Sequence, residues 1–494
     1  MTTFKAIPVQ RLHSFVVTAM LVLTAGAADL ASANSPAALD LPQIGEPADN
    51  TLSPAQEKAL GARVMAELFR DGYALEDPEL SEYITTMGYQ LAAASSTQPP
   101  ALTFFVVRDD RINAFALPGG YIGMNAGTMV ASDSENELAG VMGHELAHVT
   151  QRHIARTAED TQVGTIATWL AVIAAIIAGS SDPDVVLGAL AIGQSINYQR
   201  QASYTRAHEQ EADRIGIQTM AGAGFDPNGM SSFFQKLSQE SRLYGSGIPE
   251  ILRTHPLSTN RMAEAQSRAA EMPKLLRANS IEFLLMRARA RVLSADIPGE
   301  SLEYFGKEIA AGHDNAENRY GLALAQRLQS EAVRASATLA PLVEQFPRQP
   351  NVQLLHAELL AQMGQYPAAL KTYERVLKLY PRYAPAILGY AETLMNAGRP
   401  DAARQYLLSH DQSHGAQILT HKLLAQAARE SNNLAESAYQ MGTYLFMRGD
   451  PGGALAQLDA GLRLPTLGAQ DRARLIAKRQ DVRAALPSNY RPGR

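Results

Sequence analysis

Apolar residues recur along most of this chain at the three-to-four-residue spacing of a helix, and the places where that spacing lapses divide it. Ser53-Pro54 opens one such run, which continues through Leu68 and stops at Gly72; Asp77-Pro78 opens another, through Leu91. In both, a residue able to cap stands before a proline at the first helical position, where the missing N–H is no loss. Leu102–Val107 is a short run of β type. The segment from Asn113 to Asn125 carries apolar alternation broken by Pro118-Gly119-Gly120, which predicts strand, turn and strand. From about Glu135 the helical period returns in Leu138, Val141, Met142, Leu146 and Val149, with Ala139, Gly140, Gly143 and Ala147 on the opposite side. A helix apolar on one side and small on the other is expected to be buried between neighbours.

Further on, Val163–Gly179 is strongly apolar, and Val185–Ile192 follows it after Asp182-Pro183-Asp184. A helix over the first stretch would be about 25 Å long, short of a hydrocarbon core. The readings are a buried hairpin, a helix pair in a membrane surface giving peripheral membrane contact through 163–193, and a true span. From about Asn279 the helices become rich in Ala and Leu and repeat. Gly364, Tyr366, Ala369, Tyr373 and Pro381 fall at the small, aromatic and proline positions of a 34-residue helix–turn–helix unit. Shifting by that period relates Gly398 to Gly364, Ala403 to Ala369, and Ala391 and Ala323 to Ala357. It also relates Ala335 to Ala369 and Pro347 to Pro381, and a further unit reads Gly442, Gly449, Ala454, Pro465. Leu408–Asn433 breaks the period. This is a tetratricopeptide pattern, and such arrays offer a concave surface to a protein partner.

The N-terminus reads differently. Lys5 and Arg11 precede an apolar run from Phe15 to Leu23, and Ala31-Ser32-Ala33 has the form of a signal-peptide cleavage site, with an uncleaved membrane anchor as the alternative. The expected organisation is a signal peptide over 1–33, a flexible leader over 34–51, a folded domain over 52–272 with the apolar hairpin inserted, and repeats over 279–494. With no cysteine in its 494 residues, the chain can form no disulfide and no thiolate metal site, and Asn34 excludes a lipid anchor at the cut. A periplasmic location fits. A net charge of −5 and the lack of a basic stripe give no support for nucleic-acid binding.

The chemistry is concentrated in His144-Glu145-Leu146-Ala147-His148. Histidines four apart share one helical face and can turn ring nitrogens to one metal ion, with Glu145 placed as general base toward a water. A hydrolytic zinc ion takes three protein ligands and leaves one position open. One protease class supplies glycine and histidine three and six residues after the second ligand; Gln151 and Ile154 stand there. His153 is about 140° around a continuous helix from His148 and is not expected to join. In His208-Glu209-Gln210-Glu211-Ala212-Asp213, Glu209 and Asp213 share a face, so that Glu209 can bind the metal while Asp213 takes a ligand's ring N–H. His208 is the rival ligand, and Glu211 points elsewhere. His255 is a candidate oxyanion donor, or a fourth ligand that closes the site, and Arg261 is expected to brace it by an ion pair. Asn113, Ala114, Phe115 and Ala116 are the expected edge on which an extended substrate pairs.

HELAH, Glu209-x-x-Ala212-Asp213, the Asn113–Gly120 segment and His255-Pro256-Leu257-Ser258-Thr259-Asn260-Arg261 together resemble the HtpX-like and CAAX-prenyl-protease zinc metallopeptidases. That resemblance implies one zinc per chain on His144, His148 and Glu209, with Glu145 as base and Asp213 behind the ligands. The expected fold is mainly α: an α+β zincin-like domain with a small sheet, followed by the repeat array. An exported member with such a tail is implied to be an endopeptidase in outer-membrane protein quality control. Its substrates would be unfolded outer-membrane proteins, and its repeats would dock the assembly machinery. A chaperone-like scaffold with latent proteolysis and an aminopeptidase are the competing expectations.

Overall fold

The computed structural model describes residues 52–161, 198–243, 249–275, 277–414 and 418–486. The expected signal peptide, leader and 163–193 hairpin lie outside the described residues. Among the described residues no helix is long and apolar enough to cross a membrane. The chain forms two compact units, Met1–Val64 with Tyr83–Ser280, and Met65–Glu82 with Ile281–Arg494. Two helices, α1 (Pro54–Arg70) and α2 (Pro78–Ala93), are therefore each divided between the units.

The first unit holds a three-stranded sheet in the order β1 (Thr103–Val107), β3 (Tyr121–Asn125), β2 (Ala114–Leu117). β1 pairs parallel with β3, Phe105 opposite Gly123, and β2 pairs antiparallel with β3, Phe115 opposite Gly123. A side chain at Gly123 would meet the Phe105 and Phe115 rings at 2.6 Å, which is why the middle of the sheet has none. The short helix α3 (Ala126–Ala131) then leads into α4 (Glu135–Thr150), which carries HELAH. Ser134 caps α4 by accepting the Glu137 N–H, which meets one orphan amide of the first turn, and Glu137 in turn accepts the N–H of Asp133, the residue before the cap, at 2.7 Å. Nearly every residue of α4 is buried, as its apolar and small faces predict.

Beyond α5 (His153–Thr161), the helices α6 (Tyr198–Gly222), α7 (Asn228–Leu243), α8 (Glu250–Thr254) and α9 (Thr259–Ala270) complete the unit. α6 crosses α4 glycine on glycine: a Cβ at Gly216 would stand 3.1 Å from the Gly143 carbonyl carbon and the His144 nitrogen. Backbones this close leave side chains one turn away on α6 within reach of His144.

The second unit is helical among its described residues, from α10 (Ile281–Ser294) through α11 (Pro298–Ala310), α12 (Ala316–Leu328), α13 (Ala332–Gln345), α14 (Pro350–Gln362), α15 (Tyr366–Leu379), α16 (Ala384–Asn396), α17 (Pro400–His414), α18 (Ile418–Glu430), α19 (Leu434–Met447), α20 (Pro451–Leu462) and α21 (Ala469–Ala484). Ala323, Ala335, Ala357, Ala369, Ala391, Ala403 and Ala454 are fully buried, as small residues at close helix crossings should be. Gly364, Gly398 and Gly449 end their helices at φ 76°, 72° and 75°, the left-handed turn that only glycine adopts freely. The protein is thus mainly helical, a small-sheet domain carrying HELAH followed in sequence by a repeating helical array.

Candidate metal centre

Four side chains from three places in the first unit converge. His144 and His148 come from α4, Glu209 from α6, and His255 from the residue that ends α8. His144 Nε2 stands 3.1 Å from His148 Nε2, 3.3 Å from His255 Nδ1 and 3.4 Å from Glu209 Oε2. His148 Nε2 is 3.4 Å, and His255 Nδ1 3.0 Å, from Glu209 Oε1. Four ligand atoms at about 2.0–2.1 Å from one zinc ion stand about 3.3 Å apart in a tetrahedron. With Glu209 Oε1 as the carboxylate donor, four of the six edges of such a tetrahedron already lie at 3.0–3.4 Å, while Oε2 faces His144; three nitrogens with one carboxylate are donors that zinc accepts.

The surroundings favour a cation at this point. Burial works against charge on His144, but Asp213 and Glu209 push its pKa up to about 10. Burial also opposes the Glu209 carboxylate, yet the three histidines hold it well below the usual range. For His148, burial prevails and keeps the ring neutral, its pKa well below the ordinary value. Asp213 Oδ1 lies 3.0 Å from His144 Nδ1. The Arg261 guanidinium reaches both Asp213 oxygens at 2.7 and 2.8 Å and Glu209 Oε2 at 2.9 Å. It also donates to the Pro256 carbonyl at 2.8 Å, which ties the His255 loop to the acidic side of the site.

Glu145 is fully buried, and neither carboxylate oxygen has a hydrogen-bond partner among the described residues. His255 Nε2 is 3.6 Å from Glu145 Oε1. Such a carboxylate is costly unless something charged or protic meets it, and a general base facing a metal ligand set is that situation. Beside it lies a recess lined by Val141, Met230, Phe233, Leu237, Ile251 and Leu257 among others. The spacing of the sequence could not place these residues together, because they come from α4, α7 and the His255 loop.

The expected substrate edge, Asn113 to Ala116, forms the start of β2 at one side of the sheet. Its entry is fastened: Thr128 Oγ1 accepts the Asn113 N–H at 2.8 Å and donates to the Asn113 carbonyl at 2.7 Å. The adjacent Ile112 carbonyl accepts the Ile251 N–H at 3.1 Å, so the loop bearing His255 is pinned next to this strand.

His153, His208 and Glu211 are not among the converging atoms. His153 nevertheless touches the site from behind, its Nδ1 2.9 Å from His148 Nδ1. The angular argument against it supposes a continuous helix. α4 ends at Thr150, Arg152 takes a left-handed φ of 50°, and α5 starts afresh at His153. Glu57 and the Leu52 carbonyl hold the Arg152 guanidinium at 3.1 and 3.0 Å. Burial and His208 push the His153 pKa down to about 4, so the ring is neutral.

Residues 78–269 match the pattern of peptidase family M48, and 360–427 match a tetratricopeptide repeat. The chain is 31% identical over 484 residues to the "Beta-barrel assembly-enhancing protease" of Escherichia coli, covering 97% of this chain and 98% of that one. It is 36% identical over 313 residues to the protein of the same name from Yersinia pestis, covering 62% of this chain and 63% of that one. A mitochondrial metalloendopeptidase, OMA1 of Arabidopsis thaliana, is 31% identical over 170 residues, 34% of this chain and 32% of that one.

Proposed function

The chain belongs to peptidase family M48, with the β-barrel assembly-enhancing proteases, and from that premise we propose that it is a zinc endopeptidase that cuts misfolded or stalled outer-membrane proteins during their assembly. It is a metalloprotease with a repeat tail. His144, His148 and Glu209 would hold the zinc ion, with Asp213 and Arg261 bracing them. The observation that carries this reading is the 3.0–3.4 Å spacing among the donors of His144, His148, Glu209 and His255 beside a buried Glu145 whose oxygens lack a hydrogen-bond partner among the described residues. Bound there, zinc would supply Lewis acidity for hydrolysis. Glu145 takes the proton from the attacking water and later hands it to the departing amine. The Asn113–Ala116 edge aligns the substrate backbone by strand pairing. The repeats dock substrate or assembly machinery, and the pattern of residues 1–33 supports export to the periplasm.

The geometry also supports a second state. His255 supplies the fourth corner and places its other nitrogen beside Glu145, where the attacking water belongs. In that arrangement the protease is latent, and the chain can serve assembly as a scaffold until the loop withdraws. Glu145→Gln is expected to keep zinc and abolish cleavage of an unfolded β-barrel protein; persistent cleavage sinks the assigned base. Internal cuts are expected, and single-residue trimming would favour an aminopeptidase instead. His255→Ala is expected to raise cleavage severalfold if the histidine closes the site, and to lower it if it donates to the oxyanion. Unchanged cleavage rejects both roles.

A further inference from the structure

The two histidine ligands are supported differently. Behind His144 stands a carboxylate, Asp213, locked by the buried Arg261. Behind His148 stands a second imidazole. We propose that His153, Glu211 and Arg156 form a relay that orients His148 and sets its strength as a metal ligand, with His153 as a positioning residue. This rests on the reading of His148 as a ligand given above.

The contacts admit one consistent direction. His148 Nε2 faces the other donors, 3.1 Å from His144 Nε2. A ring that gives this lone pair to a metal carries its proton on Nδ1. That proton points to His153 Nδ1 at 2.9 Å, which must accept it. The His153 proton is then on Nε2, facing Glu211 Oε2 at 3.2 Å. Glu211 also accepts from Arg156 at 2.9 Å. Each tautomer fixes the next, and the chain ends on a carboxylate, as a metal–histidine–carboxylate triad does, with one imidazole inserted. His208 stacks on His153 at 4.4 Å between ring centroids and 11° between planes, which holds the inserted ring in plane. His153 is itself buried, while Glu211 and Arg156 keep side-chain exposures of 26% and 40%. The His148 arm therefore runs outward to solvent, whereas the His144 arm stays inside.

The test uses the full chain and reads zinc affinity by competition with a chromophoric chelator, alongside the visible absorption of the Co²⁺-substituted protein. His153→Leu removes the acceptor and is expected to weaken zinc binding about 10- to 100-fold and to shift the cobalt band. His153→Gln offers an amide oxygen to His148 and an amide N–H to Glu211, and is expected to recover part of the loss. Glu211→Gln is expected to weaken binding severalfold, and adding it to His153→Leu should cost nothing more, because the relay is already cut. Wild-type affinity and spectrum in a folded His153→Leu protein would overturn the relay, as would additive losses in the double variant. If His153→Leu fails to fold, Glu211→Gln on its half-buried carboxylate decides: unchanged affinity and spectrum overturn the proposal. Failure of the wild-type chain to bind zinc would instead remove the metal reading beneath it.

Discussion

Arg261 is the cation on which the acidic side of the site depends. It is buried against two carboxylates, Asp213 and Glu209, which without it would be left with only histidine rings to balance their charge. Removing one member of a buried ion cluster costs about 3–5 kcal/mol because the remaining charge is stranded. Arg261→Met is therefore expected to lower the unfolding free energy by about that amount, read by urea denaturation of the metal-free protein. Arg261→Lys should fall between, since an ammonium cannot grip Asp213 with two parallel bonds. A loss under about 1 kcal/mol for Met would show that the carboxylates find other partners. A second residue acts through its lack of a side chain. Gly216→Ala pushes a methyl against the Gly143 and His144 backbone and the Met230 side chain, so a destabilisation of about 1–3 kcal/mol is expected, with weaker metal binding as α6 is forced from α4.

At the scale of the helix and its turn, much was legible and the exceptions are instructive. The period of Leu138 to Val149 places His144 and His148 on one face, and the spacing of Glu209 and Asp213 does the same on α6, because both pairs lie within one unbroken helix. The glycines and alanines of the repeats were legible because each marks a local need, a left-handed turn or a close crossing. That need can be tested in isolation at Gly398, where φ is 72° and an added Cβ meets nothing within 4 Å. Gly398→Ala should cost about 1 kcal/mol from backbone strain alone, and unchanged stability would show that the turn relaxes. His153 stays outside the converging ligand atoms, as its spacing implied, but its contact behind His148 was not legible, for a converse reason. No proline or glycine announces the end of α4; Arg152 turns the chain because Glu57 and the Leu52 carbonyl capture its guanidinium. Those partners lie about a hundred positions away, beyond any local pattern. The apolar recess and the arrival of His255 likewise depend on α7 and α8 folding back, which no spacing encodes.

The division of the molecule as a whole rests on a segment far from the repeats in sequence. Residues Met65–Glu82 belong to the second unit, and their carboxylates carry the reason. Arg289, buried in α10, is held by Asp77 at 2.7 Å and by Glu79 at 2.7 Å; Glu76 meets Lys422 at 2.8 Å and Arg448 at 3.0 Å. A fragment beginning at Ile281 would strand Arg289 without either partner, so it is expected to be markedly less stable than the same fragment supplied with 65–82. One guanidinium cannot satisfy two buried carboxylates equally. Burial opposes ionisation of Asp77, but Arg289 holds its pKa below the ordinary 3.8, while burial with Glu358 and Asp77 nearby pushes Glu79 up to about 8 despite Arg289. The Asp77 contribution is present above its ordinary pKa and is lost only as pH falls toward the depressed one. Glu79 acts in the opposite sense. Between its ordinary 4.5 and about 8, the folded protein keeps a proton that the unfolded chain has lost, so stability declines as pH rises through that window. Other groups titrate there too, so the measurement is a comparison: the Tm of the wild-type chain at pH 6 and 8.5 against that of Glu79→Gln. The glutamine keeps the shape and cannot ionise, and its Tm should fall less over the same interval. Equal falls in the two proteins would place the proton elsewhere and leave Arg289 shared by two ionised carboxylates.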